Sequence, residues 1–452
     1  MARKFTTVDY EESLKQTVTL GDCLPTEHLA RFIVGIISLL DLSAIYACYA
    51  PVGGEAIAPE LLLGLLFYGY ATGVFSSRKL ERATYESIPF RFIAGGLHPD
   101  HATIAAFRKT FLPQITDLFV QVLVVAHELG YLTLGNISLD GSKVRADASK
   151  HQAVSYGRLL ELEKSLRAEV EELLALGAQA DQASLPEGLE VAHEVALRQA
   201  RLANLAEAKA VLTARAEERY AAEQTEYEAK LREREAKAQE TGHKPRGRAP
   251  EPPVPGPRAK DQYNFTDPES RIMKNPTDDG FDQFYNAQAA VDQDSRLIVG
   301  HSLSDHPNDK AEALPTVDAI PAEIGKPPAG ALDNGYYSPE TVEGLEARGI
   351  DPYIATGREP HHQSWQERFA AQPEPPAADA PLIEQMAYKL RTEIGKLIYG
   401  LRKSTVEPVI GIVKEALGFR QFSLRGLAAV AGEWCLVCLA YNLKRLHTLT
   451  RS

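Results

Sequence analysis

The chain has 452 residues and a net charge of −12, from 49 Lys and Arg against 61 Asp and Glu. Apolar residues make up 44% and charged residues 24%, the balance of a soluble protein with roughly two to four domains. That balance excludes global disorder and a wholly basic nucleic-acid coat, though not a local basic patch. Four cysteines, Cys23, Cys48, Cys435 and Cys438, are too few for a disulfide scaffold and fit a reducing compartment. The opening MARKFTTVDYEESLKQ lacks the apolar centre of a signal peptide, so a cytoplasmic location is expected.

Residues 1–130 read as an all-α region of nearly balanced charge. Leu29, Phe32, Ile33, Ile36, Ile37 and Leu40 recur at helical spacing, and Pro51, Gly53 and Gly54 break the segment. A helix is expected from about 59 to 75. Its apolar run, Leu61 to Phe75, is 15 residues long, short of the roughly 20 that span a bilayer. Ser76 and Ser77 are capping candidates for the next helix. Pro99-Asp100 marks a turn before a helix carrying Arg108 and Lys109, and a last helix covers about 111–130. Several short helices joined by turns are compatible with a helix-turn-helix.

At 132 the period changes. LTLGNISLDGSKVRAD alternates, with Ile137 and Leu139 on one face and Ser138, Asp140 and Ser142 on the other, which predicts a strand. From about 154 to 240 the chain turns helical and charged. Leu159, Leu162, Leu166, Val170, Leu173 and Leu176 form a seam of coiled-coil type, SLPEGLE breaks it, and a second helix runs to about 240. An antiparallel helical hairpin is expected, followed by a basic Pro-rich linker.

Strands return from 281, in FDQFYNAQAAVD and SRLIVGHSLSD. A helix from Lys310 to about Ile320, a strand ending at Asp333, a helix capped by Ser338 and a strand over 351–356 follow. With the earlier strand, this order predicts a mixed α/β sheet. Residues 357–383 read as a polar loop and 384–403 as a helix. Residues 389–452 carry 11 Lys and Arg against 4 Asp and Glu, a net +7 hidden within the acidic average, and such a face suits phosphate.

Two-metal phosphodiester chemistry needs a few carboxylates converging on one point, held on rigid elements. Asp140 lies mid-strand, Asp333 ends a later strand, and Glu407 opens a helix with Pro408 in its first turn and Gly418 closing it. Lys414 lies two turns beyond Glu407 on the same face.

These residues carry a resemblance. The chain resembles the DDE transposases of bacterial insertion sequences, which have an RNase H-like catalytic core, and more narrowly their eleven-eighty-two-type branch. The stretches that carry it are LLLGLLFYGYATGVFSSRKLERATYE, PDHATIAAFRK, SLDGSKVRADASKH, FYNAQAAVD, ALDNGYYSPE, GIDPYIATGR and KLRTEIGKLIYGLRKSTVEPVIGIVKEALGFRQFSLRG, spread over nearly the whole chain. The resemblance implies that Asp140, Asp333 and Glu407 are the catalytic, metal-binding triad, with two Mg²⁺ or Mn²⁺ ions as cofactor. In the Tyr-x2-Arg-x3-Glu-x6-Lys signature of related transposases, Glu407-x6-Lys414 and Tyr399-x2-Arg402 fit. Four residues, however, separate Arg402 from Glu407, so either Arg402 or Lys403 fills the basic role, and Pro408 argues against one continuous helix through 399–414.

The implied organisation is a DNA-binding helical domain over 1–130, the first core strand region over 131–150, a coiled-coil insertion and linker over 151–262, the rest of an RNase H-like sheet flanked by helices over 263–425, and a C-terminal helix over 426–452. DNA contacts are expected from Lys414, Arg402, Tyr399, Lys403, Arg78, Lys79 and Arg108. The implied partners are double-stranded DNA, as terminal inverted repeats and target, and a second copy of the chain; no membrane and no nucleotide cofactor are expected. The rival readings are an RNase H-like nuclease that does not join, and a non-catalytic DNA-binding or coiled-coil scaffold. The remaining candidates take local readings. Cys435-x2-Cys438 reads as two thiols on a buried helix face, Asn286 as a local cap or pair, His361 and His362 as loop residues, and Asp278 and Asp279 as solvated charges. Asp147 and His151 follow the first strand, within reach of a substrate.

Overall fold

The structure, a computed structural model, describes residues 11, 14–15, 17, 19–50, 54–179, 186, 188–241, 243, 249–275, 280–357, 374–377 and 379–451. His361, His362, Asp278 and Asp279 lie outside the described residues. Two compact units emerge, one from residues 1–147 and 284–452, the other from 148–283.

The first unit is built on a mixed sheet. Strand β1 (Ile137–Arg145) pairs antiparallel with β5 (Phe281–Asp292), which pairs antiparallel with β6 (Ile298–Ser304). On its other side β1 runs parallel to β7 (Ala329–Leu332), and β7 parallel to β8 (Asp351–Ile354). Ile137 and Leu139 are buried on the face opposite Asp140, but burial along β1 does not follow the alternation read from the sequence: Ser138, on the Asp140 face, is buried as well, and residues 140–143 are all half-buried.

The N-terminal helices pack mainly on one another and on the last helix of the chain, which itself lies against β6. They are α1 (Leu29–Ile37), α2 (Pro59–Ala71), α3 (Ser77–Glu86), α4 (Ile88–Ile93), α5 (His101–Thr110) and α6 (Leu112–Glu128). Asp100 caps α5 by accepting from the Ala102 and Thr103 amides, as the turn at Pro99 predicts. Ser76 sits at the start of α3 but its side chain makes no capping bond. The helix α2 stops at Ala71, earlier than its apolar run, because Gly73 turns the backbone to φ 82°.

The second unit holds α7 (Tyr156–Gln179) and α8 (Val191–Thr241), with β2 (Ala153–Ser155) paired to β3 (Gln262–Asn264), and β4 (Arg271–Lys274). Leu159 and Leu166 of α7 pack with Leu205, Ala208 and Leu212 of α8 and with Tyr263 of β3. Glu169–Arg198 and Glu163–Lys209 pair across the two helices in opposite chain order. The leucine seam is only partly a core: Leu159, Leu166 and Leu173 are buried, whereas Leu176 at its end is exposed.

The chain then returns to the first unit, where α9 (Ala313–Asp318) and α10 (Pro339–Ala347) fall between the later strands, and Ser338 caps α10 as expected. After β8 come α11 (Leu382–Arg391), α12 (Glu393–Gly400), α13 (Val406–Gly411) and α14 (Leu427–Leu449). Between α12 and α14 the chain also makes a 3₁₀ turn (Leu401–Ser404) and a π-turn (Ile412–Ala416).

By length and composition α14 could cross a membrane, yet it is the central helix of this unit. Trp434 donates to the Gln288 carbonyl at 2.9 Å, and Asn442 clamps the backbone of Ile298, accepting from its N–H at 2.8 Å and donating to its C=O at 2.7 Å. Cys435 and Cys438 are buried on it as free thiols, so they are core residues.

Candidate active site

The sheet brings two of the sequence candidates together. Leu139 of β1 and Leu332 of β7 are partners in a parallel ladder, so Asp140 and Asp333 are the next residues on adjacent strands. Asp333 also caps a 3₁₀ turn (Asn334–Tyr336), accepting from the Gly335 amide at 2.8 Å. Glu407 arrives from α13, which follows α12 and the 3₁₀ turn (Leu401–Ser404). Pro408 fits the first turn of α13. Thr405 stands at its N-cap, but its hydroxyl turns back to Ser138 Oγ at 2.9 Å and the Leu401 carbonyl at 2.8 Å. That bond ties the start of α13 to β1, two residues from Asp140.

One guanidinium joins the three carboxylates. Arg402 Nη2 lies 3.0 Å from Asp140 Oδ2 and 3.7 Å from Asp333 Oδ2, and Nη1 lies 3.2 Å from Glu407 Oε1. The Arg402 side chain is 10% exposed, and its buried Nε has no hydrogen-bond partner. Burial pulls the guanidinium pKa down, but Asp140, Asp333, Tyr399 and Glu407 together raise it, so it stays charged. Burial pushes the Asp140 carboxyl up to about 6, with Asp333 and Glu407 adding to the rise, while Arg402 and the Gly141 amide pull the other way. With the guanidinium between them, no three acidic, His or Cys side chains among the described residues stand close enough to share one ion.

Lys414 lies in the π-turn, a wide turn of the kind often found at functional sites. It is partly buried, and burial lowers its pKa while Asp140, among its charged neighbours, raises it. Gly418, at φ 77°, follows and ends the helical run. Lys403 is exposed, and Tyr399 packs beside Ala329, Ala331 and Tyr353 of β7 and β8.

Residues 18–110 match the family described as Transposase domain (DUF772). Residues 376–447, which include Tyr399, Arg402, Glu407 and Lys414, match the family described as Transposase DDE domain. The chain is a DDE transposase of the insertion-sequence class. No curated protein and no solved structure gives a match. A DDE domain implies dependence on a divalent metal, and the transposase acts on DNA.

One expected DNA contact of the transposase is corrected by the fold. Arg108 is buried, donating to Tyr70 Oη at 2.8 Å and to the Phe75 carbonyl at 3.1 Å, 4.0 Å from the buried Glu433. It neutralises a core glutamate that also accepts from the Ser423 and Leu424 amides, at 2.8 and 3.0 Å. Arg78 and Lys79 are exposed on α3. Asp147 pairs with Arg425 at 2.9 Å, and His151 lies in a short 3₁₀ turn of the second unit. Sequence reasoning missed Asp309. It stands beside the site and accepts from the side-chain amides of Asn286 at 2.7 Å and Gln288 at 2.9 Å. Only the period-two spacing of Asn286 and Gln288 in a strand hinted at a shared target.

Proposed function

We propose that this transposase cuts DNA at the ends of its own element and joins the freed ends to a target, using an RNase H-like core of the eleven-eighty-two-type branch. The observation that carries the reading is the convergence of Asp140, Asp333 and Glu407 on one guanidinium, which marks a point built to hold positive charge.

The donor set fits hard divalent cations: three carboxylates, with a positive group already among them. Asp140, Asp333 and Glu407 would hold two Mg²⁺ or Mn²⁺ ions. Bound there, such ions activate the attacking oxygen and stabilise the departing one. In cleavage, water attacks the phosphorus at the element end, the P–O3′ bond breaks, and the element keeps a 3′-hydroxyl. In joining, that hydroxyl attacks a target phosphodiester, and a target 3′-hydroxyl departs, so no nucleotide cofactor is consumed. Arg402 leaves the carboxylates for a DNA phosphate, where Lys414, Lys403 and Tyr399 also line the path. Arg78 and Lys79 of α3 contact the terminal repeats. The α7–α8 pair acts as a hairpin for assembly on DNA, and two copies act on paired ends in the cytoplasm.

The test uses the full chain with Mg²⁺ and a duplex bearing the inverted repeats that flank its gene. Nicked ends followed by joined products are expected. Nicking without joining supports the nuclease reading, and specific binding without nicking supports the scaffold.

A further inference from the structure

A buried chain of hydrogen bonds runs beneath the two aspartates. Tyr336, fully buried, donates its hydroxyl to Gln288 Oε1. Gln288, also fully buried, donates through Nε2 to Asp309 Oδ1, so both ends of its amide are committed. Asn286 donates to the same oxygen. Tyr336 belongs to the 3₁₀ turn that Asp333 caps. At the other end the chain lies under β1, directly after Asp140. A Cβ on Gly141 would stand 2.4 Å from Gln288 Nε2 and 2.8 Å from Asp309 Oδ1, so only glycine leaves room for it there.

We propose that Asp309, Gln288 and Tyr336 form a brace of positioning residues that fixes the Asp333 turn against the strand carrying Asp140. The inference rests on the triad reading above. The physical need is clear: two carboxylates on separate strands repel each other, and a metal ligand held loosely by its own backbone loses affinity. Asp309 suits the task because one carboxylate oxygen accepts two amides rooted in β5, the strand next to β1. Its role is to hold the Gln288 amide in the orientation that receives Tyr336.

The test compares Asp309→Ala, Asp309→Asn and Tyr336→Phe in the full-length protein. Mn²⁺ affinity is measured by electron paramagnetic resonance, and end-DNA affinity in EDTA. Asp309→Ala and Tyr336→Phe are expected to weaken Mn²⁺ binding by about tenfold or more, the usual scale for losing an outer partner of a ligand. DNA affinity in EDTA stays at the wild-type level. Asp309→Asn keeps wild-type Mn²⁺ affinity, because its amide oxygen still accepts from Asn286 and Gln288. If Asp309→Asn is as weak as Asp309→Ala, the negative charge itself is required and the brace is wrong. Wild-type Mn²⁺ affinity in Tyr336→Phe also overturns it, and that variant keeps the test open if Asp309→Ala fails to fold. Asp333→Asn is the control: if it retains Mn²⁺ binding, the triad reading fails instead.

Discussion

Replacing Arg402 with Gln should have two effects of opposite sign. Stability should fall, because three carboxylates then face one another without their shared cation. Breaking a fully buried ion pair by removing one partner costs roughly 3–5 kcal/mol. Here Asp333 and Glu407 are 35% and 44% exposed, and water screens part of the repulsion. A loss of about 2 kcal/mol is therefore expected, a drop of roughly 3 °C in Tm for a unit of this size. Metal affinity of the DNA-free protein should rise, since nothing positive need be displaced before an ion enters. About tenfold tighter Mn²⁺ binding, near 1.4 kcal/mol, is the expected scale. The assay is a Mn²⁺ titration followed by paramagnetic resonance, with thermal melting in EDTA and in Mn²⁺ alongside. Adding Mn²⁺ should raise the Tm of Arg402→Gln more than that of the wild type. If Arg402→Gln binds Mn²⁺ no more tightly than the wild type, the guanidinium does not hold the place of an ion.

Arg108→Met should cost roughly 3 kcal/mol by stranding the buried Glu433, read by chemical denaturation, whereas Arg78→Ala and Lys79→Ala should leave stability unchanged and lower affinity for end DNA. For each DNA phosphate that α3 no longer neutralises, the slope of log affinity against log salt should shrink by about 0.9. Arg145 and Phe284 are partners in the β1–β5 ladder, so the ends of the second unit lie side by side. Replacing 148–283 with a short Gly-Ser linker should leave the first unit folded by circular dichroism and impair assembly on DNA in sedimentation. Removing only 154–245 would instead strip Tyr263 of its partners. His301, edge-on to Phe119 at 4.7 Å, has its pKa pushed down to about 4 by burial. Because the folded pKa lies below the unfolded one, this group's contribution is complete above about 6.5 and fades as pH falls towards 4. The loss is about 1.4 kcal/mol per pH unit inside that window. His301→Phe should flatten the dependence of Tm on pH there.

Much of the sheet was legible. Alternation in ISLDGSKVR placed β1, and the order of strands and helices from 281 to 356 matches the fold, because these segments are long or bounded by Gly and Pro. The single helix expected over 384–403 is instead broken at Thr392 into α11 and α12 and gives way to a 3₁₀ turn at Leu401. The strands β2, β3 and β4 were missed: three or four residues inside polar sequence carry too little period to show. Asp140, Asp333 and Glu407 sit where their strand-end and helix-start contexts put them, and the Leu139–Leu332 register explains why the first two meet. The place of Arg402 was not legible, since spacing shows only that it lies near Glu407 and not that it points at all three carboxylates. Arg108 misled because a cation near a helix end looks like a DNA contact until its buried partner, Glu433, arrives from more than 300 residues away. Asp309 was hidden for a related reason: the strand carrying Asn286 and Gln288 was legible, but nothing in the sequence shows which residue beyond it their side chains meet.

The central claim is that Asp140, Asp333 and Glu407 act together as the cutting site. The most direct measurement is single-turnover cleavage of an end-bearing duplex in Mg²⁺ by Asp140→Asn, Asp333→Asn and Glu407→Gln, with binding of the same duplex measured in EDTA. Each variant should bind DNA like the wild type and show no nicking. Wild-type nicking by any one of the three, Glu407→Gln above all, would contradict the account.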